Sequence, residues 1–137
     1  MSIKKFFRDS SGFTLTELLV VIVLIGILAS LTIPKYRKTT TKAKASEAKL
    51  MLKQVYNLQR AYYLENDVFS PSLESIGFEQ DRLKTEGGSA RYRIEMVEVS
   101  DTGFVAQATS VVDFDKDGIL NVWTINHQDQ LVQAVPD

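Results

Sequence analysis

The chain has no cysteine, one histidine and three prolines among 137 residues. Without thiols it builds no disulfide framework, no zinc–thiolate or iron–sulfur centre and no thiol nucleophile. His127 is alone, which is too few for a histidine-rich metal site, and nothing resembles a nucleophile with an adjacent base. No catalytic residue is nominated, and the chain is not expected to be an enzyme. An excess of charge of either sign is also missing. With 16 Lys+Arg against 17 Asp+Glu the net charge is -1, so no whole-chain attraction to nucleic acid exists and nucleic acid is not an expected partner.

What is present is unevenly placed. Between Leu18 and Leu31 only Ser30 carries a polar side chain. Ahead of this run, Met1 to Gly12 is short and polar, with Lys4, Lys5 and Arg8 against Asp9 for a net charge of about +2, as in a leader. As a helix, Phe13 to Ile33 would measure about 31 Å, close to the thickness of a bilayer's hydrocarbon core. It can cross a membrane once. A secretory signal peptide would end in a small-residue cleavage site before a turn-rich mature start, and Ala29-Ser30 offers only a weak one.

A long helical pattern comes next instead, in which Ala48, Met51, Leu52, Val55, Leu58, Tyr62 and Tyr63 recur at steps of three and four. Lys44, Lys49, Lys53, Gln54 and Arg60 fall mostly on the other faces, so one side is built to pack on a domain. Pro34 removes one helical hydrogen bond and crowds the Ser30 carbonyl, which predicts a kink between the two halves of one long helix. The helix should end near Glu65-Asn66-Asp67, because Ser70-Pro71, Gly77 and Gly87-Gly88 punctuate the chain between there and Ala90.

Beyond Ala90 the period becomes two. Tyr92, Ile94, Val97 and Val99 form one run and Phe104, Ala106 and Ala108 the next, with Asp101-Thr102-Gly103 between them. Leu120 to Ile125 and Leu131 to Val135 are separated by a turn at His127 to Gln130, in which His127 is a turn residue. Trp123 belongs to the core or a sheet face. The expected class is α+β, a long kinked N-terminal helix packed against a C-terminal antiparallel meander of four strands. The expected division is leader 1–12, membrane or assembly helix 13–34 and head 35–137, the head comprising helix 35–66, loop 67–89 and sheet 90–137.

The stretch Ser11-Gly12-Phe13-Thr14-Leu15-Thr16-Glu17-Leu18-Leu19 resembles the cleavage and methylation motif of type IV prepilins. The resemblance runs through Pro34 and the amphipathic helix, roughly the first half of the chain, and implies the type IV pilin fold. It implies cleavage between Gly12 and Phe13 and N-methylation of Phe13 by a prepilin peptidase and methyltransferase. The implied function is structural: a subunit that polymerises with its own copies into a surface filament for motility, adhesion or DNA uptake. An inner-membrane assembly platform with its ATPase and membrane lipid are the further implied partners. The precursor would sit in the inner membrane with its head outside the cytoplasm. The charge count opposes this orientation, since Lys35, Arg37, Lys38, Lys42 and Lys44 come after the span and by the positive-inside rule would be cytoplasmic.

Glu17 is the only ionisable side chain between Phe13 and Ile33, and a carboxylate in hydrocarbon costs several kcal/mol unless it is paired or wet. On residues alone it is either a flank at headgroup depth or a group awaiting a cation. The resemblance favours the second, with the Phe13 amine of a neighbouring subunit as the cation. It also implies that the segment bracketed by Gly26 and Pro34, both poor helix formers, unwinds on assembly.

Asp113-Phe114-Asp115-Lys116-Asp117-Gly118 has the D-x-D-x-D-G spacing of calcium loops, with the Ile119 carbonyl and Asn121 as further ligands. Thr124 stands where an EF-hand has its bidentate Glu. The same residues also read as an acidic turn whose carboxylates cap backbone groups. Two other functions remain open: a pseudopilin of a type II secretion system, and a non-polymerising, single-pass anchored calcium-binding surface protein.

Overall fold

The computed structural model describes residues 11–136, so Met1 to Ser10 of the expected leader lie outside the described residues. The chain forms two units, Met1–Tyr36 and Arg37–Asp137. Helix α1, Leu15–Asn66, begins in the first and ends in the second. Its helical assignment continues across Gly26 and Pro34. A 3₁₀ turn, Lys84–Glu86, precedes four strands: β1 Tyr92–Ser100, β2 Gly103–Ser110, β3 Val122–Asn126 and β4 Leu131–Val135. The strands pair antiparallel in the order β1-β2-β3-β4, the expected meander.

In the first unit every large apolar side chain from Leu15 to Ile33 is exposed. Two hydroxyls of this stretch are satisfied by the helix itself: Ser30 donates to the Ile27 carbonyl at 2.8 Å and Thr32 to that of Leu28 at 3.1 Å. Such closure is what a helix needs in a medium without water.

In the second unit α1 buries Ala45, Ala48, Leu52, Val55, Tyr56 and Gln59. Their spacing of three, four, three, one and three makes one stripe. The strands contribute Tyr92, Ile94, Phe104, Ala106, Ala108, Trp123 and Ile125 to the same cluster. Alternation in β2 and β3 is clean. In β1 it breaks, because the register shifts between Met96 and Glu98 and the extra residue, Val97, is left 53% exposed. The sequence pattern had grouped Val97 with the inward residues. Leu120, expected to start β3, is an exposed loop residue, since the strand begins at Val122.

Two glutamine side chains take the place of backbone. Gln59, fully buried, donates to the Ser70 carbonyl at 2.6 Å and accepts from the Ser70 N–H at 3.0 Å. Gln80 accepts from the Ile94 N–H at 2.9 Å and donates to the Tyr92 carbonyl at 3.2 Å, pairing with the edge of β1 as a short strand would. The loop is tight at Gly88, where a Cβ would lie 1.9 Å from the Arg82 carbonyl oxygen. Ion pairs tie the helix to the sheet region: Glu47 accepts from the Arg91 N–H at 2.7 Å and its guanidinium at 3.0 Å, and Lys53 pairs with Asp129.

The helix lysines are not simply solvated. Lys44 lies over Phe114 at 4.9 Å, Lys49 over Trp123 at 4.5 Å and Lys53 over Tyr56 at 5.6 Å, each within reach of a cation–π contact. Trp123 is a core residue as expected, and His127 occupies the β3–β4 turn.

Candidate assembly helix and acidic loop

Gly12 and Phe13 are exposed and precede the helix, and a side chain at Gly12 would meet nothing within 4 Å. Four residues on, Glu17 has a partner that its sequence context alone did not assign. Its carboxylate accepts from the Thr14 N–H at 2.9 Å, while the Thr14 hydroxyl accepts from the Glu17 N–H at 3.2 Å. This is a capping box, in which Thr14 and Glu17 satisfy each other's open helix-end donors. The signal was readable as Thr14-x-x-Glu17 ahead of an apolar run. Glu17 therefore starts the helix and still has oxygen lone pairs to offer a cation.

The span Leu15–Ile33 has 19 residues, mean hydropathy 2.5 and no part buried in the fold, long and apolar enough to cross a membrane. Gly26 is as open as Gly12.

In the head, the loop after β2 gathers Asp113, Asp115 and Asp117, one oxygen of each lying within 4.8 Å of the others. Asp113 accepts from the N–H of Lys116 at 2.6 Å and of Gly118 at 2.8 Å. Asp115 accepts from the Asp117 N–H at 3.2 Å and Asp117 from the Ile119 N–H at 2.7 Å. Gly118 has φ +88°, a conformation that favours glycine, and Lys116 has φ +67°. The Gly118 N–H, foremost among its donors, holds the Asp113 carboxyl below its usual range. Of the two further candidate ligands, Ile119 is placed beside Asp117 by its N–H. Asn121 is buried, its Oδ1 accepts from the Tyr92 hydroxyl at 3.1 Å, and its Nδ2 has no partner among the described residues.

A helix whose first part is long and apolar enough to cross a membrane and whose second part packs under a four-stranded antiparallel sheet is an α+β arrangement. Comparison with known proteins names the class more closely. Residues 34–118 match the family described as "Type IV minor pilin ComP, DNA uptake sequence receptor", and residues 7–33 match the prokaryotic N-terminal methylation motif. The chain belongs to the type IV pilin family. It is 38% identical over 94 residues to the type IV major pilin protein PilA of Myxococcus xanthus, covering 69% of this chain and 41% of that protein. It is 38% identical over 66 residues to the type IV major pilin protein PilE of Neisseria gonorrhoeae, covering 48% of this chain and 40% of the relative. With the type II secretion system core protein G of Pseudomonas aeruginosa it shares 35% over 69 residues, 50% of this chain and 49% of that one. The matched stretch thus spans two fifths to one half of these relatives.

Proposed function

We propose that this chain is a structural subunit of a type IV pilus. It is stored in the inner membrane through Leu15–Ile33 with the head outside the cytoplasm, trimmed at Gly12 and methylated at Phe13, then drawn into a filament of like subunits. The observation that carries this reading is the complete exposure of a 19-residue apolar span in the chain's own fold. Such a surface is stable only in lipid or against other apolar helices, and a filament core of stacked copies supplies the second environment. Prepilin peptidase and methyltransferase, an assembly platform and its ATPase are the partners this route requires. The role is structural, with no catalytic residue assigned.

Electron microscopy of sheared surface material, with mass spectrometry of the amino terminus, decides the matter. Long filaments whose subunit begins at methylated Phe13 are the expected result. A chain that retains Met1 and forms no filament would overturn it and leave a single-pass anchored protein. The second reading, a pseudopilin, draws on the identity to core protein G and on the aspartate triad. It would show as processed chain confined to short periplasmic assemblies. DNA binding, named in the matched family's description, is not carried over, because Lys44, Lys49 and Lys53 already sit over aromatic rings.

For the acidic loop we propose weak calcium binding by Asp113, Asp115 and Asp117. Three carboxylates so close repel one another, and a divalent ion would reverse that cost. In the absence of a bidentate Glu, a Kd of roughly 0.1–1 mM is expected. At 10 mM calcium this stabilises the fold by about 1.4–2.7 kcal/mol through preferential binding to the folded state. Thermal melting of the purified chain in detergent, in calcium and in chelator, should show the difference, and Asp115→Ala should remove it. Equal melting temperatures would leave an acidic turn held by its own N–H groups. Acid acts in the same direction as chelator. Asp113 has a folded pKa below its unfolded one, so its stabilisation is present above the ordinary carboxylate range and is lost as pH falls through the depressed value.

A further inference from the structure

The head is electrically divided along the sequence. Residues 37–66 hold seven basic and two acidic side chains, a net charge of +5, whereas residues 67–137 hold five basic and thirteen acidic, a net charge of -8. The cationic part also carries apolar surface that the fold does not cover. Leu50 is 72% and Leu64 77% exposed, fourteen residues apart and so about 21 Å along the same side of α1. At 100° per residue, Lys42, Lys49, Leu50, Lys53 and Leu64 fall within an arc of about 100°, away from buried Ala48, Leu52 and Val55. Lys42 is exposed on this arc, whereas the amines of Lys49 and Lys53, residues that are also exposed, lie over Trp123 and Tyr56.

The anionic part has a counterpart of the opposite sign. The register shift in β1 lifts Val97 out of the sheet, 53% exposed, between exposed Glu95 and Glu98, and Asp101 is exposed in the next turn. No basic residue occurs from Glu95 to Asp101. An open cleft of about 590 Å³ begins at Glu98, with Val99, Thr102, Val105 and His127 among its walls. A leucine on a helix segment of net positive charge fits this valine, flanked by Glu95 and Glu98, in both polarity and charge.

We propose that the Leu50 face of α1 in one copy of this chain docks on the Val97 bulge and adjoining cleft of a second copy. The two patches differ, so the contact is heterologous and repeats without closing, as a filament requires. This inference rests on the filament reading above and adds to it the head surfaces that meet.

The native chain lacks cysteine, which makes the experiment direct. The full chain is expressed in filament-producing cells as Leu50→Cys, Val97→Cys and the double variant, then oxidised. The double variant is expected to give a ladder of dimers, trimers and higher species on non-reducing gels, with no ladder from either single variant. Leu50 lies on the helix face turned away from the core, so the bond does not close within one chain. Normal filaments without a ladder would overturn the docking while leaving the pilus reading intact, and so would Leu50→Cys pairing with itself and stopping at dimers. Absence of filaments from the unmodified chain would instead overturn the pilus reading. If the double variant fails to accumulate, charge reversal decides. Lys42→Glu should lower filament yield about tenfold and Glu98→Lys should restore it, since like charges facing across an interface cost more than 1.4 kcal/mol. A Lys42→Glu defect that Glu98→Lys leaves unchanged, or that tracks loss of duplex DNA binding instead, would overturn the proposal.

Discussion

Glu17→Gln is expected to leave the chain inserted and folded yet reduce surface filaments by about a hundredfold, a loss of about 2.7 kcal/mol per subunit contact. The choice of glutamine matters because Glu17 has two duties. It closes the capping box with Thr14, and its charge is available to a cation of another subunit. Glutamine keeps the first and removes the second, since a side-chain amide oxygen also accepts from the Thr14 N–H. Glu17→Val removes both and should lose a further ~1 kcal/mol of local helix stability at its start. Filament yield is read as the sheared fraction relative to total chain by immunoblot. Wild-type yield from Glu17→Gln together with loss from Glu17→Val would show that the cap, and not an intersubunit charge pair, is what assembly needs.

The largest effect on folding is expected at Gln59. Its amide answers both the N–H and the carbonyl of Ser70, itself a buried residue, at 3.0 and 2.6 Å. Gln59→Leu fills similar volume but strands a donor and an acceptor away from water. Each stranded group costs about 1–3 kcal/mol, so a total of about 2–6 kcal/mol is expected. For a head of this size that lowers the melting temperature by roughly 10–30 °C. Leu50→Ala, on the exposed face of the same helix, is the control and should stay within about 0.5 kcal/mol of the parent. Circular dichroism melts of the three chains in one detergent settle it, and a Gln59→Leu melt within a few degrees of the parent would refute the role given to this amide.

The architecture was legible because it rests on periods. Steps of three and four marked α1, and steps of two marked the strands, with turns where Asp101 to Gly103 and His127 to Gln130 predicted them. The class and the strand order came from these, and the N-terminal motif from the resemblance of Ser11 to Leu19 to a prepilin cleavage and methylation motif. What was not legible depends on partners distant in sequence or on one-residue shifts. Gln59 looks like any polar residue of a helix surface until Ser70 is folded against it. Val97 fits the alternation read back from Val99 but not the one read forward from Ile94, and pairing with β2 shows that a bulge between Met96 and Glu98 separates the two phases. The lysines were assigned to open faces by their charge, whereas their aliphatic stems let them lie over Phe114, Trp123 and Tyr56. In the acidic loop the spacing brought the three aspartates together, but Asn121, counted with them, gives its oxygen to Tyr92.

The amide of Gln80 has a consequence for how the head would be seen in solution. Along the open side of β1 it occupies the Ile94 N–H and the Tyr92 carbonyl, so those groups are engaged although no strand among the described residues lies beside them. In a hydrogen-exchange profile the Ile94 amide would be retained like one from the middle of the sheet. Such a profile would suggest one strand too many. Sheet width, in this head, is decided at one end by a single side chain belonging to a loop.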